Sequence, residues 1–490
     1  MAAHQPAVDL RDALPERRVF RRPAIWGWMS FDFAAQPFFT IVVTFIFGPY
    51  FVAQLASDPA EGQAAWALAA TVSGLLVGIL APLLGSIADR SGPRKPWIAV
   101  FALTKITALC LLWQAAPGSS LLVAASLVIL ATVSAEFSVV FNDAMIPHLV
   151  PQRSIGLVSN IAWGFGYCGG MIALFTTVLF LAASPETGLT IAGLPPLFGL
   201  DPAFGEAARA TAPLAALWYA VFILPMLLLV PDRPRLPSPP GTAIREGLAE
   251  LWGTIREVRH RAGIFRFILA RLFYQDGVNG VLILGGAFAA GLFGWTITES
   301  GVFGILLNVF AIFGCGVAGL LDKRFGSKSV VVVSIVCLIA ATIGIVSTSP
   351  SSTLFGLLTF GPPPIDPPGL FSTPAERAYL AFGALIGIAF GPIQASSRSW
   401  LAQSIHADEA GRYFGLYALT GRVTSFMAPL SVALLTAFAA SRTDPVTASR
   451  IGMSALILFF IVGFAILLTT HDPRRRRGTE TIDPVSDDRR

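Results

Sequence analysis

The 490-residue chain is 54% hydrophobic and only 13% charged, with a mean hydropathy of +0.69 and a formal net charge of +5. A soluble domain carries roughly 25% charged residues, so the deficit excludes an ordinary water-covered surface, whereas acyl chains are as apolar as leucine and demand no charged shell. The four cysteines (Cys110, Cys168, Cys315, Cys337) sit singly in apolar runs and the five histidines in tails or at loop edges; buried free thiols are expected, with no disulfide framework, metal centre or cofactor.

The first two dozen residues are polar and lack the apolar core of a cleavable signal peptide. A bilayer-spanning helix needs about 20 mostly apolar residues. In chain order, twelve stretches predict one: approximately Trp26–Ala53, Trp66–Ala88, Trp97–Trp113, Leu121–Met145, Ile155–Ala183, Pro213–Val230, Ile264–Phe293, Thr298–Leu321, Ser329–Val346, Ala378–Leu401, Arg412–Ala439 and Ala448–Thr470. The expected fold class is an all-α integral membrane protein of twelve transmembrane helices in two pseudo-symmetric six-helix halves. Residues 1–230 form the N-terminal half, 231–263 a cytoplasmic Pro-rich linker, 264–470 the C-terminal half and 471–490 a basic tail.

Lysine and arginine concentrate in the two tails and the even-numbered connections, while the odd loops hold only Arg209, Arg377 and Arg442. Positive charge stays cytoplasmic during insertion, so both termini are expected inside, which an even number of spans independently requires. The linker opens with PDRPRLPSPPG, whose prolines forbid helix. Beyond it Ile244, Leu248, Leu251, Trp252, Ile255 and Val258 recur at helical spacing and predict an amphipathic helix along the inner surface. The Pro-rich outer loops, 184–212 and 348–377, suggest no role.

Two connections form a pair. GSIADRSGPRKPW follows the second span and GLLDKRFGSK the eighth. The first carries Gly85, Asp89, Arg90, Gly92 and Arg94; the second carries Gly319, Asp322, Lys323, Arg324 and Gly326. An aspartate at a helix end beside basic residues can hold two halves closed on one side, and the glycines permit a tight turn near a neighbouring helix. Such repetition of a six-helix half is the architecture of major facilitator transporters.

The chain also resembles a particular branch of those transporters. The first span, WMSFDFAAQPFFTIVVTFIFGPYF, is similar to the opening of the family of unknown major facilitators that includes the vacuolar effluxers of autophagy. The similarity continues in FNDAMIPHL (Phe141–Leu149), VSNIAWGFGYCGG (Val158–Gly170), ARLFYQDGVNG (Ala270–Gly280) and the segment from Gly391 to Leu430. It departs in the first span, where Asp32-Phe33-Ala34-Ala35-Gln36 replaces the family's Asp-Trp-Ala-Asn-Ser. The resemblance implies a twelve-helix permease, with amino-acid efflux the activity of eukaryotic members. GPRKPW resembles the corresponding loop of cation-coupled sugar symporters, but the second span holds none of the acids that serve those as a cation site.

A charge at the bilayer centre costs at least ~2.5–3.5 kcal/mol and asks for a partner or a wet cavity. Asp32 falls in the cytoplasmic part of the first span, and Lys105 and Glu136 lie at comparable depth in the third and fourth, where they can pair. Asp276 lies near the middle of the seventh, beside Tyr274 and Asn279, and Arg422 deep in the eleventh, so these two are expected to meet. Gln394 and Asn160 offer hydrogen bonds to solute or to another helix. Arg271 and Arg398, nearer the inner ends, suit snorkelling, and Asp143 suits a cap or gate.

The expectation is a secondary transporter of a small polar solute, an amino acid or related zwitterion, coupled to protons or to Na+. It is expected to be monomeric in a bacterial inner membrane, with no nucleic-acid partner. A cation-coupled sugar symporter is the alternative, and an intramembrane lipid or polyprenyl transferase the reading from another class. No GxxxxGK[ST] occurs, so direct ATP drive is not expected.

Overall fold

The computed structural model describes residues 16–56, 58–184, 187–234, 253–254, 256–295, 297–361, 370–423, 426–470 and 472. Among these, eleven helices are long and apolar enough to cross a membrane. In chain order they are α1 (Pro23–Leu55), α2 (Pro59–Ser91), α3 (Lys95–Leu111), α4 (Leu121–Leu149), α5 (Ile155–Phe180), α6 (Glu206–Leu229), α7 (Ala262–Phe293), α8 (Ile297–Phe325), α9 (Ser327–Ser347) and α10 (Pro374–Ser404), with α13 (Pro445–Leu468) last. Between α10 and α13 stand two 14-residue helices, α11 (Ala410–Val423) and α12 (Met427–Ala440), where the sequence predicts one span.

Local chemistry sets several boundaries. Pro37 removes a backbone donor inside α1, and the helix continues as a wider π-type coil over Phe38–Phe45. Thr373 and Glu376 form a reciprocal capping box at the start of α10, and Asp444 accepts from the Thr447 N–H at the start of α13. Gly92 (φ 92°) and Gly326 (φ 87°) take the left-handed backbone that turns the chain from α2 to α3 and from α8 to α9. The loop after α9 folds a small hairpin, β1 (Ser352–Thr353) against β2 (Leu358–Thr359).

The N-terminal set α1–α6 and the C-terminal set α7–α13 share one apolar core, which includes Trp28, Phe141, Tyr274, Phe414 and Phe460. A second core, around Phe38, Ile41, Leu109 and Ala212, lies within the N-terminal set, away from the basic end. Large apolar side chains such as Ile79, Leu103, Phe313 and Leu434 point outward on the helix faces, as a lipid-facing surface requires.

The end that carries the basic loops is shut by direct contact between the sets. α11 lies along α2, and α5 lies against both α8 and α10. The α2–α11 crossing depends on two glycines, because a Cβ at Gly85 would stand 2.2 Å from the Gly411 carbonyl oxygen. α12 packs instead on α13 and α7.

The linker adds ties at the same end. Asp232 accepts from the Arg94 and Lys95 backbone N–H groups at the start of α3 (2.9 and 2.8 Å), while Arg233 pairs with Asp408 just before α11. Of the predicted amphipathic helix, residues 235–252 and 255 lie outside the described residues; 253–254 and 256–260 are helical, with Val258 buried. The end of this segment clasps the α10–α11 connection: Arg261 donates twice to Glu409 (2.8 and 2.9 Å), which also pairs with Arg412. Burial opposes the charged form of Glu409, but Arg261 and Arg412 outweigh it and hold the carboxyl below its ordinary value.

Two outcomes are expected. Gly411→Val overpacks the α2–α11 crossing, a change that typically costs about 1–3 kcal/mol, and lowers the detergent melting temperature, whereas Gly74→Ala, where a Cβ meets nothing within 4 Å inside a helix, does not lower it. Because the folded-state value of Glu409 is depressed, the stability it contributes is full above about pH 4.5 and is lost as pH falls through that lowered value. The melting-temperature gap between wild type and Glu409→Gln is therefore expected to be present at neutral pH and to close on acidification below the ordinary carboxylate range.

Candidate functional site

A cavity of about 230 Å³ lies between the two sets. α4 contributes Glu136 and Asp143, α5 Trp163, α7 Arg271, Gln275 and Asn279, α10 Gln394 and Arg398, and α11 Phe414 and Tyr417. On α7 the spacing 271, 275, 279 is one helical face, since residues four apart lie one above the other. The Gln275 amide donates to Asn279 Oδ1 along that face (3.2 Å).

Arg398 is the charge that joins the sets. Its side chain is only 2% exposed, and it donates to Asp143 Oδ1 (2.8 Å), Asp32 Oδ2 (3.1 Å), Ser159 Oγ (2.9 Å) and the Ser159 carbonyl (3.1 Å). The guanidinium also stands over the Trp28 ring, 4.9 Å from its centroid. All these partners belong to the N-terminal set. The snorkelling expected of Arg398 does not occur, because two carboxylates from α1 and α4 meet it inside the protein.

The other predicted residues divide. Asp32 is part of this cluster. Lys105 is fully buried and rests on the Tyr219 and Phe38 rings, 3.8 and 4.9 Å from their centroids, with no hydrogen-bond acceptor for its Nζ among the described residues. Glu136 acts on it electrostatically, so the predicted Lys105–Glu136 pair is a through-space one. Tyr274 shares a hydrogen bond with Ser397 (2.7 Å), which ties α7 to α10. Asn279 and Gln394 line the cavity.

Asp276 does something the sequence reading did not foresee. Its Oδ2 accepts the Ala428 N–H (2.8 Å) at the first turn of α12, so a carboxylate from α7 caps the start of that helix. The side chain of Arg422, its expected partner, lies outside the described residues.

The paired loop motifs separate into buried and exposed parts. Asp89 accepts the N–H groups of Gly411 and Arg412 (2.9 Å each) and the Arg94 guanidinium (2.7 Å), so an acid on α2 caps the start of α11. Arg94 is fully buried and donates onward to the Ala144 carbonyl (2.6 Å). Asp322 stands at the equivalent place in the C-terminal set, where it accepts from Ser327 and Ser396 (3.0 Å each) and lies against Gly156 of α5. Asn160 donates to Ser396 (3.0 Å) and extends the chain of contacts from α5 to α10. Gly319 faces Leu157 of α5. Arg90, Lys323 and Arg324 are exposed.

Sequence reasoning missed the cavity roles of Asp143, Trp163, Arg271 and Arg398, having placed charges one at a time by depth. A signal was present nonetheless. Asp143 falls in Phe141–Leu149, Trp163 in Val158–Gly170, Arg271 in Ala270–Gly280 and Arg398 in the segment after Gly391. These family-like stretches are the ones that converge on the cavity.

The architecture matches solved transporters along almost the whole chain. The proton:xylose symporter XylE aligns with a TM-score of 0.62 at 12% identity, covering 93% of this chain and 95% of that one. The human organic anion transporter MFSD10 aligns at 0.61 and 17%, covering 93% and 100%. FucP in its outward conformation aligns at 0.61 and 14%, covering 91% and 97%. Two helical sets shut at one end around a polar cavity thus give this multi-pass membrane protein the fold of those major facilitator superfamily transporters. Residues 61–480 match the model described as vacuole effluxer Atg22 like, and the chain belongs to that family. It is similar to the uncharacterized MFS-type transporter YxiO of Bacillus subtilis, 25% identical over 454 residues that cover 90% of this chain and 93% of that protein. It is also similar to autophagy-related protein 22-1 of Neosartorya fischeri, 22% identical over 293 residues, 57% of this chain and 43% of the fungal protein.

Removing one partner of a buried ion pair strands the others and costs about 3–5 kcal/mol. Arg398→Gln is therefore expected to destabilise the protein strongly. Asp32→Asn combined with Arg398→Gln is expected to cost less than the sum of the two single changes, a non-additivity read from a double-mutant cycle of melting temperatures.

Proposed function

We propose that this protein moves a small polar solute, an amino acid or related zwitterion, across a bacterial inner membrane by proton-coupled alternating access. In this reading α11 and α12 are the two pieces of one discontinuous span, so that twelve spans place both termini in the cytoplasm and the shut, basic end faces inward. Discontinuous helices of this kind occur at the substrate sites of secondary transporters.

The observation that carries the reading is the bond from Arg398 to Asp32 and Asp143. It joins the two halves beside the cavity and consists of two carboxylates around one guanidinium. One proton taken up there neutralises an acid without stripping Arg398 of its remaining counter-charge. Two protons release the arginine and with it the tie between the halves. The Asp89 and Asp322 clusters then serve as gate elements at the inner end, holding it closed until the central tie weakens. Opposite charges in one cavity suit a solute that itself carries both signs.

A sugar substrate is the second reading, favoured by the amides Gln275, Asn279 and Gln394 near the Trp163 ring, a combination that suits hydroxyl groups. Uptake by proteoliposomes tests both. With an inward proton gradient, wild type is expected to accumulate its solute above the external concentration. Asp32→Asn and Asp143→Asn are expected to retain solute exchange but lose gradient-driven accumulation. Accumulation that persists unchanged in both variants sinks proton coupling at this site, and accumulation of sugars but not amino acids sinks the zwitterion reading.

A further inference from the structure

The cavity's charges are committed unequally. Arg398 is held by Asp32 and Asp143, and Glu136 acts on Lys105. Arg271 is different. It is only 6% exposed, yet its hydrogen bonds go to neutral acceptors, the Tyr417 carbonyl (2.9 Å) and Thr420 Oγ1 (3.0 Å). Its guanidinium lies 3.4 Å from the centre of the Tyr417 ring, and its buried Nε has no hydrogen-bond partner. Asp143 interacts with it through space, but among the described residues no carboxylate lies within ion-pair distance of it. A desolvated cation bonded only to neutral groups carries a standing cost that an anionic ligand can offset. Stacking on an aromatic ring holds the guanidinium plane still, and a fixed guanidinium presents the fork that a carboxylate matches.

We infer that Arg271 is the carboxylate receptor of the cavity: the carboxylate of a small solute docks on its guanidinium, and Gln275 and Asn279, further along the same face of α7, take the solute's neighbouring polar groups. Asp143 lines the same cavity, and the excess negative charge of Asp32 and Asp143 over Arg398 favours a cationic end on the solute. This rests on the cavity being the solute site, as proposed above, and goes beyond it by assigning which end of the solute is recognised and by which residue. Sugars, lacking a carboxylate, have no use for Arg271.

The test uses the full chain in lipid nanodiscs and matched probes: neutral amino acids, the corresponding amides, the corresponding decarboxylated amines, and glucose and xylose. A ligand that binds the native state raises its melting temperature. At least one carboxylate-bearing probe is expected to do so, while its amide and amine at equal concentration do not. Arg271→Gln is expected to weaken that binding at least about tenfold, the equivalent of about 1.4 kcal/mol. Gln275→Glu provides a second variant with Arg271 intact: it places a carboxylate one turn away on the same face, and it is expected to weaken the same probes by neutralising the receptor. The assignment is overturned if no carboxylate-bearing probe shifts the melting temperature, if amides bind as well as acids, or if Arg271→Gln binds as wild type does. Flux separates this from the transport reading. A solute that is transported with an affinity indifferent to Arg271 overturns the assignment alone, whereas carboxylates that bind at Arg271 without crossing the bilayer overturn transport alone.

Discussion

Arg398 cannot stand alone where it is. A guanidinium taken out of water without an anion costs several kcal/mol, and the side chain is almost wholly enclosed. Asp32 from α1, Asp143 from α4 and Ser159 from α5 meet that cost by converging on it from the opposite set of helices. The cluster therefore does more than neutralise a charge. It fixes how α10 sits against α1, α4 and α5, and so fixes the width of the cavity beside it. Much of the polar geometry nearby follows from that placement, including the Ser159 bond to the Ala395 carbonyl and the Asn160–Ser396–Asp322 chain.

The end that carries the basic loops is held by a different kind of contact. There the decisive groups are backbone N–H donors at a helix start, received by Asp89, and glycine surfaces that let α2 and α11 touch. Such contacts are short-ranged: they exist fully or not at all, which suits a gate. The linker ion pairs around Glu409 reinforce the same end from the surface, where solvent screening makes each pair worth less. A strong central bond and a geometrically strict rim thus hold one arrangement.

Asp276 shows how a polar group expected in the substrate path can be absorbed by structure. The sequence places it at mid-depth among Tyr274, Gln275 and Asn279. One carboxylate oxygen accepts from the start of α12, while the other is buried with no hydrogen-bond partner among the described residues. Lys105 is a parallel case, since its cation is met by two aromatic faces rather than by a direct ion pair.

The sequence alone determined what depends on composition and period. Charge scarcity and apolar length marked the membrane helices, the aspartate–glycine repeat located the two clusters at the basic end, and the resemblance named the family to which the chain belongs. These properties are carried by short stretches of sequence, each legible without knowing how the helices pack. Only the tertiary structure decided which charges meet, because Asp32, Asp143 and Arg398 are far apart in sequence and their pairing depends on how the helices cross and rotate. Depth along one helix says how costly a charge is; the rotation of that helix against its neighbours says who neutralises it. The membrane character that composition announced is the reason this matters, since in a medium that supplies no water every buried charge must find its partner in the fold.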